Sequence, residues 1–388
     1  MRIAFFHNLP PGGGKRSAYE WIKRMTQHHQ VDLYLYDSSA EDFLDLRPYV
    51  NDTFLVPGGE LKMRTRFDKL GTYYRIARVS EEVARRINIG NYDLVFIMQC
   101  KVYNTPFVLR HLRIPSLYFC HEPLIRSLEP HANVNRGRMV PLRRLLTGWL
   151  TQLDRANALH ATLICTSSLY SRENIYRTYG VYPRLNYLGV DSDHFRPLSM
   201  KRERVILSVG SLLPSKAQDF IIESIGTLQK KPAIRFIYHL SDMRYQKQLV
   251  KLAERLGVSV FFDYLLTEDG LVSAYNQAAV TAFPSMLEPL GLVPLESLSC
   301  GTPVVGVAEA GIRETICHGE TGILTERDPE EFGKAIEALL ADDALRVRMG
   351  ARGREHVLQR WTWAHSYQKL EKHMHLAIMR GSVHRASV

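Results

Sequence analysis

Phe283–Gly301 reads FPSMLEPLGLVPLESLSCG and holds two carboxylates, Glu288 and Glu296, eight positions apart with Pro289, Gly291 and Pro294 between them. On one continuous helix that spacing would separate them by roughly 12 Å along the axis, too far to act as a pair. The prolines and the glycine break the segment instead. Val280–Phe283 (VTAF) has the short apolar run of a buried strand and Pro284 to Pro289 reads as a loop. Pro294 suits the first turn of a helix, where a missing N–H costs nothing. Gly301 then supplies the residue that caps the helix at its C-terminal end.

Strand, loop and helix N-terminus, in that order, leave free amides near Leu290, Gly291, Leu292 and Val293 at the positive end of a helix dipole, a place that binds phosphate. A carboxylate on the loop and another in the first helical turn can each accept two hydroxyl hydrogen bonds from a vicinal diol. A ligand with a diphosphate between two sugars meets both requirements. Taken singly, Glu288 is also explained as a solvated loop carboxylate and Glu296 as a residue that complements the dipole. Neither explanation accounts for the pair together with Gly291.

The length of 388 residues exceeds one ordinary core and predicts two domains of similar size. No apolar run approaches a membrane span, and MRIAFFHNLP predicts a strand and turn, its apolar stretch too short for a signal peptide. Five scattered cysteines, Cys100, Cys120, Cys165, Cys300 and Cys317, show no CxxC spacing and predict reduced thiols in a cytoplasm, with no metal site. The net charge of +10 is uneven: Met1–Val190 carries 26 Lys and Arg against 16 Asp and Glu, and the remainder balances. Such asymmetry points to an anionic partner, nucleic acid or a membrane surface. Nucleic acid would explain the charge but none of the carboxylates.

Arg2–His7 (RIAFFH), the run LPPGGGKR, and Ala18, Trp21, Ile22 and Met25 at helical spacing predict the strand, glycine loop and amphipathic helix that open a dinucleotide-type fold. Gly12 to Lys15 do not make a nucleoside-triphosphate loop, because Leu9 stands where glycine is required and Arg16 where Ser or Thr is. Ser17 likewise occupies the third glycine of the dinucleotide fingerprint. A loop without side chains is left, either a flexible turn or a place where backbone approaches a ligand closely. Val31–Tyr36 and Asp93–Met98 predict strands, and Pro115–Cys120 predicts another that ends at His121, where open α/β sheets put their ligands. Arg204–Gly210 starts a second domain, in which Ile234–Leu240, Val258–Asp263 and Val280–Phe283 complete a second parallel sheet. The stretch RGRMVPLRRLLTGWLTQL sets Arg136, Arg138, Arg143 and Arg144 beside Leu142, Leu145, Leu146, Trp149 and Leu150. That pattern fits a helix at a membrane interface and a core-facing helix with a basic solvent side equally well.

At Glu288 and Glu296 the sequence resembles the retaining family 4 glycosyltransferases of the two-domain GT-B type, whose signature is a Glu, seven residues and a second Glu. Gly301–Leu324 (GTPVVGVAEAGIRETICHGETGIL) continues the family's pattern. The resemblance covers most of the chain, strongly in the second half and loosely in the first. It implies an α/β fold of two Rossmann-like domains whose parallel sheets face a cleft. Residues 1–195 would form an acceptor-side domain and 196–364 a nucleotide-sugar-binding domain, with a helix over 365–388 returning to the first.

The resemblance also implies a retaining, metal-independent, hexosyltransferase-like enzyme. It would move a sugar from a nucleoside-diphosphate sugar to a sugar or lipid-linked acceptor hydroxyl in glycan, glycolipid or cell-envelope polysaccharide synthesis. No cofactor beyond that co-substrate and no nucleic acid is implied. The place implied is the cytoplasm, peripheral on the cytoplasmic face of an anionic membrane.

By the same resemblance Glu288 holds hydroxyls of the donor sugar and Glu296 the nucleotide ribose. Lys216 and the amides of Leu290, Gly291 and Leu292 meet the diphosphate, which the loop at Gly13 and Gly14 faces. His121 contacts the donor-sugar region, with a structural histidine bound to its own loop as the alternative. His121, Lys216 and Glu288 are the catalytic candidates. Two positions depart from the family: Ser211 stands where an arginine is usual, and Ala217 where a glycine is. Serine cannot restore the bidentate phosphate contacts of a guanidinium. Asp191, Ser192 and Asp193 spell the metal-binding DxD of the other glycosyltransferase fold, but they fall at the interdomain linker and are given no metal role. A nucleotide-sugar epimerase of the same architecture and a non-catalytic nucleotide-sugar binder, which Ser211 permits, stay open.

Overall fold

Short apolar strands alternating with amphipathic helices leave both faces of each sheet to be covered, and the chain resolves this with two separate parallel sheets. A computed structural model of the chain describes residues 1–37, 39, 41–58, 66–124, 140–264 and 266–386. Two units form, one of Met1–Tyr187 with Ser366–Val388, the other of Leu188–His365.

Among the described residues the sheet of the first unit holds seven parallel strands. They are β1 (Arg2–Asn8), β2 (Gln30–Tyr36), β3 (Asp52–Val56), β4 (Leu94–Cys100), β5 (Ser116–Phe119), β6 (Leu163–Thr166) and β7 (Arg184–Leu185), in the order β3-β2-β1-β4-β5-β6-β7. The central strands are buried on both faces, as their unbroken apolar runs require. On one face Phe5 stacks on Phe96 at 5.0 Å and Trp21 meets Phe119 edge-on at 4.6 Å. The indole of Trp21 donates to Ser366 Oγ (3.0 Å), on the helix Trp363–Ala386, and Ser366 donates to the Tyr187 carbonyl (2.7 Å). His29 and Glu371 pair farther along that helix (3.0 Å). From Ser366 onward the helix therefore completes the first unit.

The sheet of the second unit holds β8 (Val205–Val209), β9 (Ala233–Tyr238), β10 (Val260–Tyr264), β11 (Val280–Phe283), β12 (Val304–Val307) and β13 (Gly322–Thr325), ordered β10-β9-β8-β11-β12-β13. Val190 N–H donates to the Trp361 carbonyl (2.7 Å), and Gly189 lies so close to Thr362 that a Cβ would sit 2.4 Å from its carbonyl carbon. These contacts tie Leu188–Phe195 to the second unit.

β3, β6, β7, β12 and β13 have no counterpart among the strands read from the sequence. β3 is an edge strand, half exposed and without an apolar run, and β7 is two residues long. Neither length nor periodicity marks such segments. No helix among the described residues is long and apolar enough to cross a membrane. Arg136 and Arg138 lie outside the described residues, as do the side chains of Arg143 and Arg144, and with them the proposed interfacial face.

Candidate active site

In each sheet the strand order reverses once, between β1 and β4 in the first and between β8 and β11 in the second. The loops after such a pair of strands diverge and leave a crevice at their carboxyl ends, where open α/β sheets bind ligands.

In the second unit, the chain leaving β8 turns through Pro214–Lys216, and the chain leaving β11 runs through Pro284–Pro289 to the helix Leu292–Ser299. The two loops are bonded directly. Met286 N–H donates to the Ser215 carbonyl (2.9 Å), and Lys216 Nζ donates to Glu288 Oε2 at 2.5 Å. The pair is partly solvated, with side chains 31% and 21% exposed. A pair in that setting contributes at most about 1 kcal/mol, so an anionic or polyhydroxylic ligand can replace either partner at little cost.

The Glu288 loop is held from two further sides. Gly311 N–H donates to the Glu288 carbonyl (3.0 Å). Arg327 grips Glu309 through two nitrogens (2.7 and 2.8 Å) while its Nη2 donates to the Pro284 carbonyl (3.0 Å). Gly311 has ordinary helical dihedrals, yet a Cβ there would sit 1.9 Å from the Pro289 oxygen, so only glycine permits the approach. Gly291, at φ +86°, turns the chain into the helix as its N-cap. The amides of the first helical turn have no carbonyl one turn back to bond, which leaves them at the positive end of the dipole as read from the sequence.

Glu296 departs from expectation. It is the fifth residue of its helix, not in the first turn, which contains no acid. It is 7% exposed, and its Oε2 accepts from Tyr275 OH (2.8 Å). The helix opens at Leu292, so Pro294 is its third residue, inside the first turn as read from the sequence, and Glu296 falls just beyond that turn. Ala217, where a glycine is usual, has φ +52° and ψ +44°. Alanine therefore holds the left-handed conformation at a cost of about 1–2 kcal/mol. The Ser211 carbonyl accepts from Gln218 Nε2 (2.9 Å).

His239, after β9, was not singled out in the sequence. Its pKa is depressed by partial burial first and then by the charge of Lys216. A histidine at a strand's carboxyl end was the available signal, the same one that marked His121. Arg327 and Glu309 were also missed, because residues that act on backbone carbonyls leave no spacing to read.

At the switch point of the first sheet, the helix starts inside the glycine run: Gly12, φ +142°, is its N-cap, and Gly13 and Gly14 are its first residues. Gly14 faces His121, whose Nε2 would lie 3.5 Å from a Cβ at that position. That nitrogen is buried without a hydrogen-bond partner among the described residues, and burial lowers the ring's pKa to about 4. The His121 amide donates to Gln99 Oε1 (3.2 Å), which fixes its backbone.

Lys15 does not face a phosphate. Its Nζ donates to Glu41 Oε1 at 2.5 Å, and both side chains are almost fully buried with His7. The Leu9 amide donates to His7 Nδ1 (3.3 Å), which leaves Nε2 to carry the proton toward Glu41 Oε1 (3.3 Å). Burial holds His7 and Lys15 below their ordinary pKa values. Burial alone would raise the Glu41 carboxyl, but hydrogen bonds from His7 and Lys15 keep it below the usual range.

Asp191, of the DxD-like run, accepts from the amides of Asp193 (3.2 Å) and His194 (3.1 Å) and so closes a local turn. Among the described residues no group of three His, Cys, Asp or Glu side chains is placed to hold a metal.

Residues 190–356 match the family described as Glycosyl transferases group 1. The GDP-mannose-dependent alpha-(1-6)-phosphatidylinositol monomannoside mannosyltransferase of Mycolicibacterium smegmatis is 30% identical over 226 residues, 52% of this chain and 59% of the relative. A D-inositol 3-phosphate glycosyltransferase of Geodermatophilus obscurus is 35% identical over 199 residues, 45% of this chain and 44% of the relative. The chain thus spans about half the length of the curated relatives it matches. Among solved structures, the sucrose-phosphate synthase of Thermosynechococcus elongatus superposes with a TM-score of 0.78 at 19% identity, over 96% of this chain and 98% of that one. That likeness carries the two-sheet architecture. The family match falls within the second unit, and the two parallel sheets are those of the GT-B fold.

Proposed function

We propose that the protein is a retaining glycosyltransferase that moves a sugar from a nucleoside-diphosphate sugar to an acceptor hydroxyl in glycan, glycolipid or envelope polysaccharide synthesis. The observation that carries the reading is the Lys216–Glu288 contact at the β8/β11 switch point, next to a helix N-terminus led by Gly291. Departure of the nucleoside diphosphate leaves positive charge on the anomeric carbon and negative charge on the β-phosphate. Lys216 and the helix N-terminus stabilise the latter, and Glu288 takes hydroxyls of the donor sugar. Glu296, held by Tyr275, positions the ribose. Gly14 and His121 meet at the switch point of the first unit, with Gly13 beside them, where open α/β sheets bind ligands.

Retention results if the departing phosphate accepts the proton of the attacking hydroxyl on the same face of the sugar. The charge supplied by Lys216 and the helix lets this proceed without a divalent ion. The relatives' names make GDP-mannose and an inositol-bearing or lipid-linked acceptor the first pair to try, with the reaction at the cytoplasmic face of a membrane. Incubation of the protein with a panel of nucleotide sugars in EDTA, and then NMR of the product's anomeric proton, tests this. A product of inverted configuration, or activity lost to EDTA and restored by a divalent ion, overturns it. Conversion of the donor sugar without any acceptor would favour an epimerase.

A further inference from the structure

A cavity of about 810 Å³ lies in the first unit, between the segment leading into β6, the edge strand β7 and the last helix. Arg172, Arg184, Lys369, Arg380 and His373 line it, and no carboxylate does. None of the four permanent cations is ion-paired among the described residues. Two of them lie near aromatic rings instead. The Arg172 guanidinium lies 5.9 Å from the Tyr182 ring, Lys369 Nζ is 5.9 Å from the Tyr187 ring, and His373 Nε2 contacts the Leu185 carbonyl at 3.2 Å. Tyr182, stacked on Tyr176 at 4.0 Å, is 60% exposed.

Like charges gathered in a concavity repel one another unless an anion joins them. Burial, and then the neighbouring Arg172, depress Lys369. Burial depresses His373 as well, and the charges of Lys369 and Arg184 add to that effect.

Within the first unit the cavity lies at the other end of the sheet from His121. It opens at the amino ends of β5 and β6: Ser116 N–H donates to Thr162 Oγ1 (3.0 Å) there, and Gly381 packs on Pro115. His121 lies beyond the opposite, carboxyl end of β5. We propose that this cavity is a second anion site, which takes a phosphate-bearing ligand of at least two negative charges, with Arg184, Lys369 and Arg380 on the phosphate oxygens and Tyr182 as an apolar wall. Guanidinium groups suit that chemistry through paired, charge-assisted hydrogen bonds. The ligand's source is a free phosphate ester or the headgroup of an anionic phospholipid, and both present the same group.

Calorimetric titration of inorganic pyrophosphate into the full chain at low salt tests the site, in a Lys216→Ala background so that nucleotide-site binding is suppressed. Binding that persists there, weakens with salt, and falls about tenfold on Arg184→Ser with Lys369→Ser supports the site. In a chain with Lys216 intact, the same double variant should keep its turnover. If the double variant melts early, Lys369→Gln alone reads the site with about a threefold loss, since one charge–phosphate contact is removed. Sedimentation with phosphatidylcholine vesicles with and without phosphatidic acid separates the sources: capture dependent on Arg184 and Lys369 assigns a lipid headgroup, and pyrophosphate binding alone assigns a soluble ester. Pyrophosphate affinity unchanged in both sets of variants, with no vesicle capture that depends on them, overturns the proposal.

Discussion

Lys216 Nζ and Glu288 Oε2 meet at 2.5 Å although 72 residues separate them, and each neutralises the other at the carboxyl ends of two neighbouring parallel strands. Binding a diphosphate sugar requires the lysine to turn to phosphate and the carboxylate to hydroxyls. Lys216→Ala should therefore lower turnover by roughly 2 to 4 kcal/mol of barrier, the loss seen for an oxyanion donor. Glu288→Gln should leave nucleotide affinity close to wild type and lower the rate. Steady-state kinetics with titration of the bare nucleotide check both, and wild-type rates in both variants would remove the pair from the chemistry.

Gly311 is expected to be intolerant of the smallest substitution. Gly311→Ala would place Cβ against the Pro289 carbonyl and disturb the hydrogen bond that the residue 311 N–H donates to the Glu288 carbonyl, so the loop must move. Donor affinity and turnover should both fall by at least tenfold, because a misplacement of about 1 Å in a reacting group costs on that order or more. An unaltered rate would show that the loop's position is not what the site depends on.

The Lys15–Glu41 pair predicts a strongly non-additive mutant cycle. Removing one partner leaves a buried charge unpaired, so Lys15→Met alone should cost about 3–5 kcal/mol in chemical denaturation. Adding Glu41→Gln should recover a large part of that loss. Additive losses would mean that the pair carries little coupling.

Acid should destabilise the first unit through His121. Its folded pKa of about 4 lies below the unfolded value near 6.5, so the unfolded chain binds the extra proton across that window. Stability conferred by the neutral ring is complete above pH 6.5 and declines as pH falls toward 4, by up to roughly 3 kcal/mol. Melting of His121→Gln against wild type at several pH values checks the sign. The acid limb should flatten in the variant, and identical limbs would place the titration elsewhere, His7 being the next candidate.

The placement of Pro284–Pro289 as a loop between β11 and a helix was legible because VTAF is apolar and because Pro284, Pro289 and Gly291 interrupt the chain beyond it. The parallel order was legible for the same reason, since runs such as RIAFFH and DLVFIM have no polar face to give to solvent.

The first-turn position of Glu296 was misread because the helix begins at a glycine with positive φ, a backbone state that residue identity permits but does not impose. What Lys15 touches was not legible at all. Its sequence neighbours Gly12 to Gly14 suggest phosphate, whereas Glu41, brought in by the turn after β2, supplies the carboxylate. The cavity lined by Arg172, Arg184, Lys369 and Arg380 joins residues more than 180 positions apart.

By itself the sequence determined what local chemistry controls: which runs become strands, where proline and glycine end a helix, and which residue types can meet a diphosphate and a diol. Only the tertiary structure decided which charges meet. An ion pair needs two side chains within about 4 Å of one another, and that closeness is fixed by strand order and loop packing, not by spacing along the chain.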